Sequence, residues 1–132
     1  HKPLPLAKIA SGGELSRIML AIKVRQKTSQ EGTLIFDEID SGISGQTALV
    51  IAKRLKELSS HAQSIVVTHL HQVASVADSH FVIKKRADGG TTISTIQEVK
   101  DMDRAMELAR MMGGETPSPA VIRHAKELIG LQ

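Results

Sequence analysis

The chain has 132 residues, 41% hydrophobic and 23% charged, enough for one small domain with a real core. Aromatics are 2% (Phe36 and Phe81), which excludes a ladder of rings for stacking single-stranded bases. The absence of Cys excludes disulfides and thiolate metal sites and fits a reducing cytoplasm, and no apolar run approaches the ~20 residues of a membrane span, so no membrane partner is expected.

The formal charge is +3, with Lys and Arg interleaved among acids, so bulk charge alone does not point to nucleic acid. The densest basic run, Lys84-Lys85-Arg86, reads as a solvated strand end. The chain opens on His1-Lys2-Pro3 with neither a starting Met nor a leader, and reads as a piece of something longer.

Residues 1–10 carry two prolines and read as an extended lead-in. Ser11-Gly12-Gly13 is a turn that opens a helix. Leu15, Ile18, Met19 and Ile22 share one face of it, with Arg17, Lys23 and Lys27 turned away. Gly32 breaks the pattern. Thr33 to Phe36 is a continuous apolar run of the kind found in a strand buried on both faces. It runs into Asp37-Glu38-Ile39-Asp40.

Ser41 to Gly45 is a small-residue turn. From Gln46 to Leu58, Ala48, Ile51, Ala52, Leu55 and Leu58 recur at helical spacing. Ser64 to Thr68 predicts a second buried strand, ending at His69, and Leu70 to Ala77 a short helix. His80 to Lys84 reads as a third strand. Asp88-Gly89-Gly90 is a turn, and Thr91 to Val99 a hairpin partner. Asp103 is placed to cap a helix carrying Met106, Leu108, Ala109 and Met112, stopped by Gly113-Gly114. Ser118-Pro119 opens a last helix that Gly130 closes. The strand–helix–strand alternation predicts an α/β fold with a largely parallel sheet flanked by helices.

Four local features suggest chemistry. Ser11-Gly12-Gly13-Glu14 opens a helix, where free N–H groups and the helix dipole favour an anion and glycines allow close approach; an ordinary Ser-capped helix start has the same look. Leu34-Ile35-Phe36 ends in Asp37-Glu38, which aims carboxylates at the C-terminal edge of a sheet. There Asp37 would hold Mg²⁺ and Glu38 would polarise an attacking water. Asp40-Ser41-Gly42-Ile43-Ser44-Gly45 is a tight loop just beyond. His69 ends the second strand beside the same edge and would donate to a γ-phosphate, although a lone His there is more often structural.

In this order the four features resemble the ABC ATPase family. Ser11-Gly12-Gly13-Glu14 is similar to its signature motif, Leu34 to Glu38 to Walker B with the catalytic glutamate, Asp40 to Ser44 to the D-loop, and His69 to the switch histidine. Asp37-Glu38-Ile39-Asp40 favours the chromosome-maintenance branch over transporters. The Ser41 to Gly45 run departs from the Leu-Asp ending of most of that branch, and this departure with three further stretches resembles its bacterial DNA-repair members. The stretches are Leu4 and Ala7-Lys8-Ile9-Ala10 leading into the signature, Thr68 to Ala74, and Leu108 to Gly114 with His124 to Leu128.

The resemblance implies a P-loop NTPase-like head, with residues 1–132 as a single domain forming its C-terminal lobe. An N-terminal lobe carries Walker A, and two heads close on two ATP molecules. The signature residues Ser11, Gly12, Gly13 and Glu14 then act on the partner's nucleotide, and the D-loop residues Asp40, Ser41 and Ser44 lie at the junction. It also implies ATP, Mg²⁺, DNA, recombinational repair of double-strand breaks and a place at the bacterial nucleoid.

No Gly-x-x-x-x-Gly-Lys-Ser/Thr occurs: neither Gly12-Gly13, Gly89-Gly90 nor Gly113-Gly114 is followed by the required pair. The chain by itself is therefore expected to be inactive and to expose apolar surface made to be covered. Three alternatives stay open. One is a metal module built on His61, His69, His71 and His80. The others are a non-catalytic dimerisation module and a head lobe from another chromosome-maintenance protein.

Overall fold

A computed structural model describes residues 3–5, 10–26 and 32–132. The lead-in read across residues 1–10 thus lies partly outside the described residues, as do Ala7 to Ile9 and Lys27. Contacts along the backbone group the chain into two compact units, His1–Val76 and Ala77–Gln132.

In the first unit the order is α1 (Gly12–Arg25), β1 (Thr33–Phe36), α2 (Gly45–Leu58), β2 (Gln63–Val66) and α3 (His71–Ala74). Strands β1 and β2 pair in parallel, with Ile35 opposite Ile65 and Phe36 opposite Val66. The ladder continues as Val67 N–H donates to the Phe36 carbonyl at 3.0 Å. Helix α2 follows its predicted spacing, with Ala48, Ile51, Ala52, Leu55 and Leu58 all buried. Ile51, Ala52, Leu55 and Leu58 close a core with Leu20, Val24, Phe36, Ile39, Ala62 and Val73.

Two expectations about burial need correction. The strand run was read as buried on both faces, yet Ile35, Ile65 and Val67 are exposed. Strand side chains alternate, so Leu34, Phe36 and Val66 meet the core while Ile35, Ile65 and Val67 form an open apolar face. In α1 the predicted buried face is also turned outward: Ile18, Met19 and Ile22 are exposed, and Gly13, Leu20 and Val24 are buried. Apolar residues stand on both sides of α1, so periodicity could not choose between them. The tie of Arg17 to the loop after β1, described below, orients the helix.

The second unit holds β3 (His80–Asp88), β4 (Thr91–Val99), α4 (Asp101–Gly113) and α5 (Pro119–Leu128). Strands β3 and β4 form an antiparallel hairpin with Ile83 opposite Ile96 and Asp88 opposite Thr91. A largely parallel sheet is therefore not what the described residues form: they make one parallel pair and one antiparallel pair. The turn residues Gly89 and Gly90 both have positive φ, which reverses the chain within two residues and favours the hairpin. Helices α4 and α5 pack together, burying Ala105, Leu108, Ala109 and Ala125. The N-cap of α4 is Lys100 rather than Asp103, which lies inside the first turn. Ser118 caps α5 as read, its hydroxyl accepting from Val121 N–H, with Pro119 at the first helical position.

Candidate functional site

The parallel pairing puts the ends of β1 and β2 side by side, so Asp37-Glu38 and His69 emerge at one sheet edge. What fixes the chain beyond β1 is α1. The Ser16 hydroxyl donates to the Asp37 carbonyl at 2.7 Å, and Arg17 Nη1 donates to the Ile39 and Ser41 carbonyls at 3.1 and 2.8 Å. Ser41 N–H closes a turn onto the Glu38 carbonyl at 3.0 Å. The backbone of residues 37–41 is thus held, while the Asp37 and Glu38 side chains stay exposed.

Glu38 has φ +58°, in the left-handed region. A non-glycine residue there costs about 1–3 kcal/mol, which the surrounding ties must offset. Glycine would remove the strain, but it would also remove the carboxylate.

The signature-like tetrapeptide sits against this turn. Ser11 caps α1 in a reciprocal box: Glu14 N–H donates to Ser11 Oγ at 3.2 Å, and Ser11 N–H donates to Glu14 Oε2 at 3.3 Å. A Cβ on Gly12 would collide with Glu38 Oε2, and one on Gly13 would lie 2.8 Å from the Glu38 carbonyl oxygen and 2.9 Å from Ser41 Cβ. Gly13 is therefore required by packing against backbone within this chain, whereas a methyl at Gly12 would meet only the movable end of the Glu38 side chain. The same contact sets the Glu38 carboxylate beside the positive end of α1.

Asp40 is the buried acid of the group, 3% exposed. Its Oδ2 accepts from the Thr68 hydroxyl at 2.5 Å and from His69 N–H at 2.9 Å, and lies 3.1 Å from His69 Nδ1. Burial pushes the Asp40 carboxyl up. The bonds from Thr68 and His69 N–H, with the nearby His69 charge, outweigh it and hold the group below its ordinary value. The ionised Asp40 Oδ2 is placed to accept from an N–H at His69 Nδ1, which leaves Nε2 as the outward ring nitrogen. The His69 ring itself is 74% exposed, with that edge open to solvent.

All the predicted carboxylates and His69 are thus gathered at one edge, with Asp40 linked directly to His69. Ser41 contributes its carbonyl to Arg17, and Ser44 is the N-cap of α2 without a side-chain cap bond. Sequence reasoning assigned no part to Ser16, Arg17 or Thr68. The first two follow the signature glycines within one helical turn, and that spacing was the available signal. Among the described residues no three His, Asp or Glu side chains come together as a metal cluster, and within the first unit His61, His69 and His71 form none. No helix among the described residues is long and apolar enough to cross a membrane.

No family model matches the chain. It is 49% identical over 126 residues to DNA repair protein RecN of Treponema pallidum, covering 95% of this chain and 22% of that protein. Against RecN of Halalkalibacterium halodurans it is 44% identical over 128 residues, covering 96% and 23%. Against RecN of Bacillus subtilis the identity is 42% over 125 residues, covering 94% and 22%. The chain is thus homologous to RecN along nearly all of its own length, and spans about a fifth of the length of these relatives.

Proposed function

We propose that this RecN homologue is the C-terminal lobe of a P-loop NTPase-like, ABC-type ATPase head acting in recombinational repair of DNA double-strand breaks, in the bacterial cytoplasm at the nucleoid. One observation carries the reading: Glu38 is kept as an exposed carboxylate at a left-handed backbone position where strain favours glycine. Strain retained at a carboxylate beside a sheet edge fits a residue selected for chemistry.

The residues fit the roles without further rearrangement. Glu38 accepts a proton from the attacking water. His69, oriented through Nδ1 by Asp40, presents Nε2 to the γ-phosphate. Asp37 has an exposed side chain that accepts no hydrogen bond from the described residues, which suits Mg²⁺ held by one carboxylate, water and phosphate rather than by a protein cage. Bound Mg²⁺ would neutralise phosphate charge. Ser11, Gly12, Gly13 and Glu14, at the positive end of α1, face a nucleotide held by a second head. The open face of Ile35, Ile65 and Val67 takes the N-terminal Walker A lobe, whose strands complete the sheet.

The test joins the chain to the preceding segment of a full-length RecN-type protein. The complete head should hydrolyse ATP, and Glu38→Gln should lower turnover about 10²–10⁴-fold with ATP binding retained. Turnover at the parent rate in the Gln variant removes Glu38 as the base. A head that binds a second head but never hydrolyses ATP favours the dimerisation module instead.

A further inference from the structure

The hairpin changes character halfway along. Its base is apolar, with Phe81, Ile83 and Ile96 exposed on one face and Val82 buried on the other. From the Lys84–Thr95 pair to the Asp88–Thr91 pair every residue is exposed. This outer half carries Lys84, Lys85 and Arg86 on one strand and Thr91, Thr92, Ser94 and Thr95 on the other, with Asp88 its one acid. None of the three cations pairs with a carboxylate among the described residues. Unpaired charge concentrated on one projecting element differs from the interleaved charge of the rest of the chain.

Alternation along β3 sets Lys84 and Arg86 on one face and Lys85 on the other. On the first of these faces Lys84 borders Glu107 and Glu115 while Arg86 lies farther out, so the outer ribbon still presents cations on both faces, at Lys85 and Arg86, which suits a site with phosphate on both sides. The five outer pairs extend about 14 Å at the usual strand rise. A major groove is about 12 Å wide and 8.5 Å deep and admits a two-stranded ribbon. The facing strand adds four hydroxyls, which donate to phosphate oxygens without reading sequence. A single strand offers phosphate along one line only, and the hairpin has no aromatic in its outer half to stack bases.

We propose that the outer half of the β3–β4 hairpin is a contact for the phosphate backbone of duplex DNA, made by Lys84, Lys85 and Arg86 from both faces of the ribbon. The idea takes its partner from the repair reading above but does not depend on ATP chemistry. It makes the contact sequence-independent and salt-dependent.

The experiment measures binding of a labelled mixed-sequence DNA duplex to the 132-residue chain over a range of salt. The triple variant Lys84→Glu, Lys85→Glu, Arg86→Glu is compared with Lys53→Glu, Lys56→Glu, Arg123→Glu, which makes the same change of net charge at other exposed cations. The hairpin variant should weaken binding at least about tenfold near 0.1 M salt and lower the slope of log K against log salt by about 3, one phosphate per cation. The control should keep most of the parent slope. A matching alanine triple should show the same slope change without reversed charge, and circular dichroism should show all variants folded. Equal losses in hairpin and control variants, or a parent slope in the hairpin variant, overturn the proposal. So does a parent chain that binds single-stranded RNA or an acidic protein through the hairpin but not duplex DNA. The same variant in the complete head should retain DNA-independent ATP hydrolysis. Loss of duplex binding with hydrolysis intact isolates the hairpin, whereas absent hydrolysis in the parent head defeats the ATPase reading and leaves the hairpin result standing.

Discussion

Asp40 is 3% exposed and engages the Thr68 hydroxyl, His69 N–H and His69 Nδ1. Glu38 and Asp37, two and three residues upstream, are exposed, and their carboxylates accept no hydrogen bond from the described residues. Both regions are held firmly, but by different atoms. Asp40 is held through its own side chain, which joins the end of β1 to the end of β2. Asp37 and Glu38 are held through their carbonyls, by Ser16 and the Ser41 turn, with Arg17 tying the carbonyls that follow. A carboxylate fixed by its side chain has spent its acceptors on structure. One fixed by its backbone keeps them for a metal or a water. The contrast separates an acid engaged through its side chain from two whose carboxylates stay exposed, all within four residues.

The comparison breaks most visibly if Asp40 is removed. Asp40→Ala strands the Thr68 hydroxyl and the His69 N–H in a part-buried site. We expect a loss of about 3 kcal/mol in stability, since each stranded donor costs on the order of 1–3 kcal/mol. Asp40→Asn keeps an acceptor oxygen and should cost about 1 kcal/mol, mostly the charge-assisted part. Urea unfolding followed by circular dichroism measures both. An alanine variant as stable as the parent would show that Asp40 ties nothing together.

Gly13 sharpens the comparison from the other side. In a helix interior alanine is favoured over glycine by about 1 kcal/mol. Here the added methyl would sit 2.8 Å from the Glu38 carbonyl oxygen and 2.9 Å from Ser41 Cβ, contacts that must open by moving backbone. Overpacking of that kind costs about 1–3 kcal/mol, so the clash wins and Gly13→Ala should be net destabilising by about 1 kcal/mol. Gly45→Ala is the contrast: its new methyl meets only Gln72 Nε2, at 3.3 Å, the movable end of a side chain. It should be neutral or slightly stabilising in the same unfolding assay. Equal destabilisation of both would remove the special role of the 38–41 turn. The result also bears on the Ser11–Glu14 segment, because bulk at Gly13 disturbs the Glu38 turn in its own chain.

Much of this was legible in the sequence. The spacing of Ala48, Ile51, Ala52, Leu55 and Leu58 located α2 and its buried face, and the acids after an apolar strand located the edge. The orientation of α1 was not legible, because Ile18, Met19 and Ile22 compete with Leu20 and Val24 for the core and only the tertiary tie of Arg17 decides. Nor was the open strand face legible. A run of apolar residues shows that both faces are greasy, and says nothing of whether a partner covers each. The pairing of Asp40 with Thr68 and His69 joins residues nearly thirty positions apart and follows only from the parallel register of β1 and β2. Lys84-Lys85-Arg86 is exposed as the sequence suggests, but it lies within β3, which runs on to Asp88, rather than at a strand end.

The smallest expected effect is a pH dependence that belongs to Asp40 alone. Its folded carboxyl titrates below the ordinary value of 3.8, raised by burial but lowered further by Thr68, His69 N–H and the His69 charge. Above 3.8 both the folded and unfolded forms are ionised, so the stabilisation is fully present. Between the folded value and 3.8 the unfolded chain binds more protons than the folded one, so stability falls as pH falls. Below the folded value the contribution is gone. The groups facing Asp40 are Thr68 and His69. Urea midpoints measured from pH 5 downward should therefore fall less steeply in Asp40→Asn than in the parent. If the Asp40→Asn variant keeps the acid limb of the parent, Asp40 does not carry this dependence.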